Sequence, residues 1–66
     1  MITVNDRDRI EWRDGMTVEG LMKEMGYDYA LITVTVDGVL VPEDDYGTFR
    51  LRDGSRVVVF HLAHGG

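Results

Sequence analysis

An unbroken apolar run near the carboxyl end, Val57-Val58-Val59-Phe60, constrains the fold of this chain more than any other feature. β-Branched and aromatic residues favour a strand, and a strand without polar alternation is either covered on both faces or central in its sheet. The chain has 66 residues and no cysteine, so neither a disulfide framework nor a thiolate zinc site can hold it together. It is therefore predicted to form one small domain around a sheet that contains this strand.

Two segments at the amino end alternate apolar and polar residues, as strands with one buried face do. Ile2 and Val4 lie in the first segment, and Ile10 and Trp12 lie in the second. Residues 5–8 between them, Asn-Asp-Arg-Asp, have the polar composition of a turn. The amino end is therefore predicted to form a β-hairpin with one buried face.

A second hairpin is predicted in the middle of the chain. Residues 31–36 are apolar and rich in β-branched side chains, and the Asp-Gly pair at 37–38 is a strong signal for a two-residue turn. The chain then returns as a strand over 39–41, which Pro42 either ends or marks as an edge strand.

One short helix is predicted between the two hairpins. Thr17 is suited to the N-cap, where its hydroxyl accepts a hydrogen bond from a first-turn N–H, and Gly26 is suited to a left-handed C-cap. A helix of about nine residues must pack against a sheet to persist. Its apolar residues recur at helical spacing and so share one face: Val18, Leu21, Met22 and Met25.

The predicted order of elements is β-β-α-β-β-β, with the last strand central in the sheet. This order predicts an α+β roll, in which a mixed β-sheet carries the one main helix on one face. If the first and last strands are parallel neighbours, the carboxyl end leaves from the middle of the sheet. No repeat, low-complexity segment or linker divides the chain.

The charge and hydropathy of the chain disfavour two classes of partner. The formal net charge is −5, which disfavours nucleic acid, because nucleic-acid-binding proteins contact phosphates through clustered Lys and Arg. No apolar run approaches the roughly 20 residues that span a bilayer, and residues 1–5 do not resemble a signal peptide. We therefore expect a cytoplasmic protein that binds neither nucleic acid nor a membrane.

Residues 43–50 are predicted to form a polar loop that begins with the acidic run at 43–45. This run is interpreted as a solvated surface, with steering toward a basic partner as the alternative. It has no partner acid or base in a pocket, so a hydrolytic site is not expected. Arg50, Arg52 and Arg56 form either a small basic patch near the carboxyl arm or another solvated face.

The last residues carry the clearest chemical meaning. We expect a globular domain over 1–62 and a flexible arm over 63–66, Ala-His-Gly-Gly, ending in a free carboxylate on Gly66. Fully extended, the arm would reach about 13–14 Å. Because glycine lacks a Cβ, Gly65 and Gly66 can enter a channel too narrow for other residues. Such an arm is suited to being handed to the active site of another protein.

Three segments also carry a resemblance to a known family. They are Gly15-Met16-Thr17-Val18 with Leu21-Met22, then Val34-Thr35-Val36-Asp37-Gly38 through Val41-Pro42, and then Leu51-Arg52-Asp53-Gly54-Ser55 running into the last strand and Gly65-Gly66. In order and spacing they resemble the thiamine-biosynthesis sulfur carriers (ThiS) within the ubiquitin-like ThiS/MoaD group, over nearly the whole chain. The resemblance implies a β-grasp fold and a carrier protein that is not itself an enzyme.

The resemblance also implies a reaction sequence at Gly66. A ubiquitin-activating-like adenylyltransferase of the ThiF type would use ATP to adenylate the Gly66 carboxylate. A persulfide-bearing sulfur donor would then convert it to a thiocarboxylate, and a ThiG-type thiazole synthase would receive the sulfur. Ala63, His64 and Gly65 would form the arm. No bound cofactor is implied, since ATP is used by the activating partner.

Two alternatives stay open at this point. The approach Leu62-Ala63-His64 lacks the proline that molybdopterin-synthase small subunits usually have, which favours the thiamine branch. His64 stands where relatives often have a small or apolar residue. The first alternative is a sulfur carrier for molybdopterin or another sulfur-containing product. The second is a ubiquitin-like docking module whose diglycine is never activated.

The end of the last strand contains the candidate docking residues. Phe60 and Leu62 share one side of the strand by alternation, with His61 opposite. We expect Phe60 to be buried in the core. The alternative is that Phe60, Leu62 and Ala63 contact partners beside the sheet face that the helix leaves uncovered. His61 and His64 fall on opposite sides of an extended segment without a third ligand, so no metal site is expected.

Overall fold

The computed structural model of the chain describes residues 1–27 and 32–60 in full and the backbone of His61. Residue 31, predicted to open the third strand, lies outside this part of the chain, as does the predicted boundary between the domain and its arm at residues 62 and 63. The described elements follow the predicted order: β1 (Ile2–Val4), β2 (Asp8–Ile10), α1 (Val18–Met25), β3 (Ile32–Val36), β4 (Val39–Val41) and β5 (Arg56–His61), with a 3-10 turn at Glu43–Asp45 between β4 and β5.

The strands form one mixed sheet with β5 at its centre. The strand order is β2-β1-β5-β3-β4, and β5 runs parallel to β1 and antiparallel to β3. The α+β roll and the central last strand are therefore confirmed. Burial alternates along β5, because Val57 and Val59 are buried in the core while Val58 is half-buried and Phe60 is exposed. The apolar run thus reflects a central position and not a strand covered on both faces.

The opening hairpin is confirmed, but it is shorter than predicted. β1 pairs with β2 in a register that places Ile2 opposite Ile10 and Val4 opposite Asp8. Trp12 lies beyond the end of β2, and its indole Nε1–H donates to the carbonyl of Leu51 at 2.9 Å. Trp12 is therefore held by the segment that precedes β5 instead of by a cross-strand neighbour.

Helix α1 begins and ends at the predicted caps. The Thr17 hydroxyl accepts a hydrogen bond from the Gly20 N–H at 3.2 Å, and Gly26 adopts the left-handed conformation with φ of 75°. The helix has 8 residues, close to the predicted length. On its predicted apolar face, Val18, Leu21 and Met22 are buried and Met25 is half-buried, and together they cover one face of the sheet.

The polar-loop prediction for residues 43–50 is wrong at its centre. Tyr46 is only 3% exposed and belongs to the core, and Phe49 packs against that core. The loop also completes the helix start, since the carbonyls of Tyr46 and Phe49 accept from the N–H groups of Glu19 and Val18 at 2.8 and 3.1 Å. A short helix needs such acceptors because its first N–H groups have no partner within the helix.

No helix in the described ranges is long and apolar enough to cross a membrane.

Candidate functional site

The candidate site is the carboxyl end of β5, from which the predicted arm would emerge. Both neighbouring strands support β5. β1 pairs with its first half, with Val4 opposite Val57, and β3 pairs with it from Val36 opposite Val57 to Ile32 opposite His61. The backbone direction at His61 is therefore set by the middle of a five-stranded sheet. Leu62, Ala63, His64, Gly65 and Gly66, which sequence analysis assigned to the arm and its approach, lie outside the described residues, as does the His61 side chain.

Asn5 holds β5 at the point where β1 turns away from it. Its N–H donates to the Val57 carbonyl at 2.8 Å, and its side-chain Oδ1 accepts from the Val59 N–H at 2.7 Å. The side-chain amide thus replaces the ladder hydrogen bond that β1 no longer supplies. From its sequence position, Asn5 is predicted only as a turn residue. The available signal was an Asn directly after a strand, where its side chain can bond nearby backbone and tolerate a left-handed φ.

The other end of β5 is held by two carboxylates. The Arg56 guanidinium donates from Nε and from a terminal nitrogen to the two carboxylate oxygens of Asp6, both at 2.8 Å. The Arg56 backbone N–H donates to Asp37 Oδ1 at 2.9 Å. The hydrogen bond from Arg56 lowers the pKa of the Asp6 carboxyl below its ordinary value, and the same bond raises the pKa of Arg56.

The uncovered side of the sheet presents an apolar surface beside the end of β5. We call this surface, formed by Thr33, Thr35, Leu40, Val58 and Phe60, the open face. Register brings its members together, because Thr33 lies opposite Phe60 and Thr35 lies between Val58 and Leu40. Phe60 is 52% exposed and Leu40 is 60% exposed.

The prediction that Phe60 is buried in the core is therefore wrong. Val57 and Val59 occupy the core side of β5, so alternation turns Phe60 to the opposite side. That side carries no helix in the described structure, which leaves the Phe60 ring accessible. The exposed position of Phe60 is compatible with the docking role considered for it. Leu62, considered for the same role, lies outside the described ranges.

The described side chains do not assemble a reactive centre. Residues 1–27 and 32–60 contain no group of three His, Cys, Asp or Glu side chains that could hold a metal ion. The acidic residues of the 3-10 turn, Glu43–Asp45, are exposed to solvent. Burial raises the pKa of Tyr46, with the nearby Glu43 charge adding to the effect, but this phenol lies in the core. The described part of the molecule therefore presents the end of β5 beside the open face.

Comparison with known proteins agrees with this geometry. The sequence model described as the ThiS family matches residues 2–66. A solved structure, the thiamine biosynthesis protein ThiS from Geobacter metallireducens, superposes with a TM-score of 0.79 at 21% sequence identity. The match covers 98% of this chain and 97% of that one. At this identity the likeness concerns the fold alone, and it confirms the predicted β-grasp architecture.

Proposed function

Because this chain belongs to the ThiS family of small sulfur carriers in thiamine biosynthesis, we propose that Gly66 carries the sulfur as a thiocarboxylate. The observation that supports this proposal most is the position of β5. It is the central strand, paired on both sides, and its backbone is held by β3 up to His61. A chain end that continues from such a strand starts from a rigid base, which favours its delivery into another protein's active site.

The chemistry at Gly66 requires activation. A terminal carboxyl group has a pKa near 3.5, so at neutral pH it is an ionised and poor electrophile. We propose that a ThiF-type adenylyltransferase lets a Gly66 carboxylate oxygen attack the α-phosphorus of ATP, which releases pyrophosphate and forms the acyl-adenylate. The terminal sulfur of an enzyme persulfide then attacks the acyl carbon and AMP leaves. A second thiol attacks the resulting acyl disulfide, which forms a new disulfide and releases the Gly66 thiocarboxylate.

A ThiG-type thiazole synthase is the proposed acceptor of this sulfur. In these steps the carrier supplies no general base and no nucleophilic side chain, because the partner enzymes perform the catalysis. Residues 63–66 act as the slim arm that reaches each active site. The domain docks on the partner surface, and the exposed Phe60 on the open face, with Leu62 beside the arm, is proposed to contact it.

Thiol-directed alkylation followed by mass analysis tests the proposal. The protein is incubated with ATP, a persulfide donor and a ThiF-type enzyme whose activity has been verified on its own carrier. The chain contains no cysteine, so a thiocarboxylate is the group expected to react. Trypsin cleaves after Arg56 and releases residues 57–66, a peptide without methionine, so methionine oxidation cannot imitate the exchange of oxygen for sulfur.

ATP-dependent label on the 57–66 peptide is the expected result, and a variant without Gly66 is the matched control that should take no label while keeping its fold. Absence of label with every verified activating enzyme would overturn the proposal and leave the docking module. Rescue of thiamine auxotrophs, compared with molybdenum-cofactor auxotrophs, then separates thiazole synthesis from delivery to molybdopterin or another product.

A further inference from the structure

A cleft lies at the end of the sheet opposite the predicted arm. It has a volume of about 270 Å³ and is formed by the β3–β4 hairpin and the segment that leads into β5. Its lining includes Val36, Asp37, Val39, Phe49, Arg50 and Arg52. β5 starts beside this cleft and runs away from it, so the five steps to His61 span roughly 17 Å. The cleft is therefore separate from the site proposed for sulfur transfer.

The cleft combines an apolar floor with two cations and one carboxylate, that of Asp37, which already accepts a backbone hydrogen bond. Val36 belongs to the core, Phe49 packs against that core, and Val39 is exposed at the edge strand β4. Arg50 and Arg52 flank Leu51, which is only 4% exposed. Alternation along this extended segment places both arginines on its outer side, with Cα atoms about 6.5–7 Å apart.

The segment that carries the two arginines is fixed in place. The Leu51 N–H donates to the Met16 carbonyl at 2.8 Å, and the Leu51 carbonyl accepts from the Trp12 indole at 2.9 Å. The Arg52 N–H donates to the Ser55 hydroxyl at 3.0 Å. The backbone that carries the two guanidinium groups is therefore held in place. This lowers the entropic cost of binding a ligand whose charged groups match the spacing of the two arginines.

The charges of Arg50 and Arg52 are not used within the described part of the molecule. Arg13 pairs with Glu24 and Arg56 pairs with Asp6, but neither Arg50 nor Arg52 forms an ion pair with a residue in the described ranges. The chain has 12 acidic residues against 7 basic ones, so two neighbouring arginines without an ion pair in the described ranges are a local exception to its negative net charge. Of the two sequence interpretations, the patch near the arm does not hold, because these residues lie at the opposite end of β5 from His61 and Arg56 is paired with Asp6. The exposure of all three arginines agrees with the other interpretation, a solvated face.

We propose that this cleft binds an extended acidic segment of a partner protein. Two carboxylates at alternate positions of that segment would pair with Arg50 and Arg52, whose planar guanidinium groups suit carboxylates. An apolar side chain at the next alternate position would rest on Val36, Val39 and Phe49. The net charge of −5 opposes a polyanion such as nucleic acid more strongly than a short segment with two carboxylates. Because the cleft is remote from the arm, the proposal does not depend on sulfur transfer.

An NMR titration of the full-length ¹⁵N-labelled protein tests this assignment. The probe is a peptide with the pattern Glu-Ser-Glu-Ser-Leu, and the control peptide has Gln in place of both Glu residues. We expect saturable shifts of the amides in 36–39 and 49–55, and little response to the Gln peptide. The Arg52→Gln variant should bind the acidic probe about fivefold more weakly, as loss of one ion pair predicts.

Arg9→Gln is the matched control, because Arg9 is exposed on β2 and its replacement removes the same charge. Its affinity should stay within about twofold of the wild type. The proposal is overturned if Arg9→Gln costs as much as Arg52→Gln, or if the shifts centre on the open face. It is also overturned if glutarate alone binds as tightly as the peptide, which would make the cleft a site for small anions.

Discussion

Asn5 combines a left-handed backbone conformation with a side-chain hydrogen-bond acceptor. Its backbone has a positive φ of 55°, and its side chain accepts the Val59 N–H in a partly buried position. Asparagine and aspartate are the non-glycine residues that best tolerate a left-handed φ, and both provide a side-chain acceptor. The residue thereby links the first turn of the chain to the strand that leads to the predicted arm.

Two substitutions test how much the Asn5 side chain contributes to stability. We expect Asn5→Ala to lower the free energy of unfolding by about 2–3 kcal/mol, because it leaves a partly buried N–H without an acceptor and strains the backbone. Asn5→Asp keeps the acceptor and should retain most of the stability. Urea unfolding of the three proteins measures the difference. Equal losses in both variants would show that the side-chain acceptor does not contribute.

The Asp6–Arg56 ion pair predicts a specific dependence of stability on pH. Arg56 lowers the pKa of Asp6 in the folded protein, while an unfolded aspartate titrates near 3.9. The stabilisation by the pair is therefore complete above about pH 4–5 and is lost as the pH falls through the lower, folded pKa. Denaturant midpoints of wild type and Asp6→Asn, measured from pH 6 to pH 2, should converge in acid. A pH-independent gap between the two proteins would contradict this assignment.

At the scale of the element, the two faces of β5 differ in burial. Val57 and Val59 pack into the core below α1, and Val58 and Phe60 belong to the open face. The neighbours of β5 supply hydrogen bonds on both edges, so the strand stays in place even though one of its faces is only partly covered. Stability and the proposed docking can therefore be tested separately within one strand.

Paired substitutions in β5 check this division. Val57→Ala should lower the free energy of unfolding by about 2 kcal/mol, because it opens a cavity at a fully buried site. Phe60→Thr should change it by less than about 1 kcal/mol, since threonine suits a strand and Phe60 is half exposed. Under the proposed function, Phe60→Thr raises the KM of the activating enzyme for the carrier. A normal KM for a folded Phe60→Thr protein would remove Phe60 from the docking surface.

At the scale of the whole molecule, the fold joins the first and the last described strands at the middle of the sheet. β1 and β5 are parallel neighbours although more than 50 residues separate Thr3 from its partner Arg56. The amino terminus also contacts the turn before β5, where the Met1 ammonium pairs with Asp53. The strand that leads to the arm is therefore complete only when the whole domain has folded.

Hydrogen exchange should report this arrangement. The amides of Val57 and Val59 lie in the central strand and are expected to exchange only through global unfolding, so their exchange free energies should equal that from urea unfolding. Amides of the edge strands β2 and β4 should exchange through smaller openings. Amide-resolved exchange by NMR measures both sets. Faster exchange in β5 than in β4 would contradict the view that β5 is the best-supported strand.

Local sequence patterns by themselves determined the elements and their order. The caps at Thr17 and Gly26, the Asp-Gly turn and the apolar run of β5 were all identified correctly, because each depends on neighbouring residues and backbone geometry. The diglycine at 65–66 was likewise identified from the sequence, and its chemistry stays a prediction.

Only the tertiary structure decided which side of β5 is buried and which distant groups meet. The sequence interpretation placed Phe60 in the core and Tyr46 in a polar loop, and it missed the contact between Asn5 and Val59. Alternation shows that two sides of a strand differ, but the position of α1 determines which side it covers. Contacts between residues far apart in the chain, such as Asn5 with Val59 or Trp12 with Leu51, form only when the fold brings these segments together.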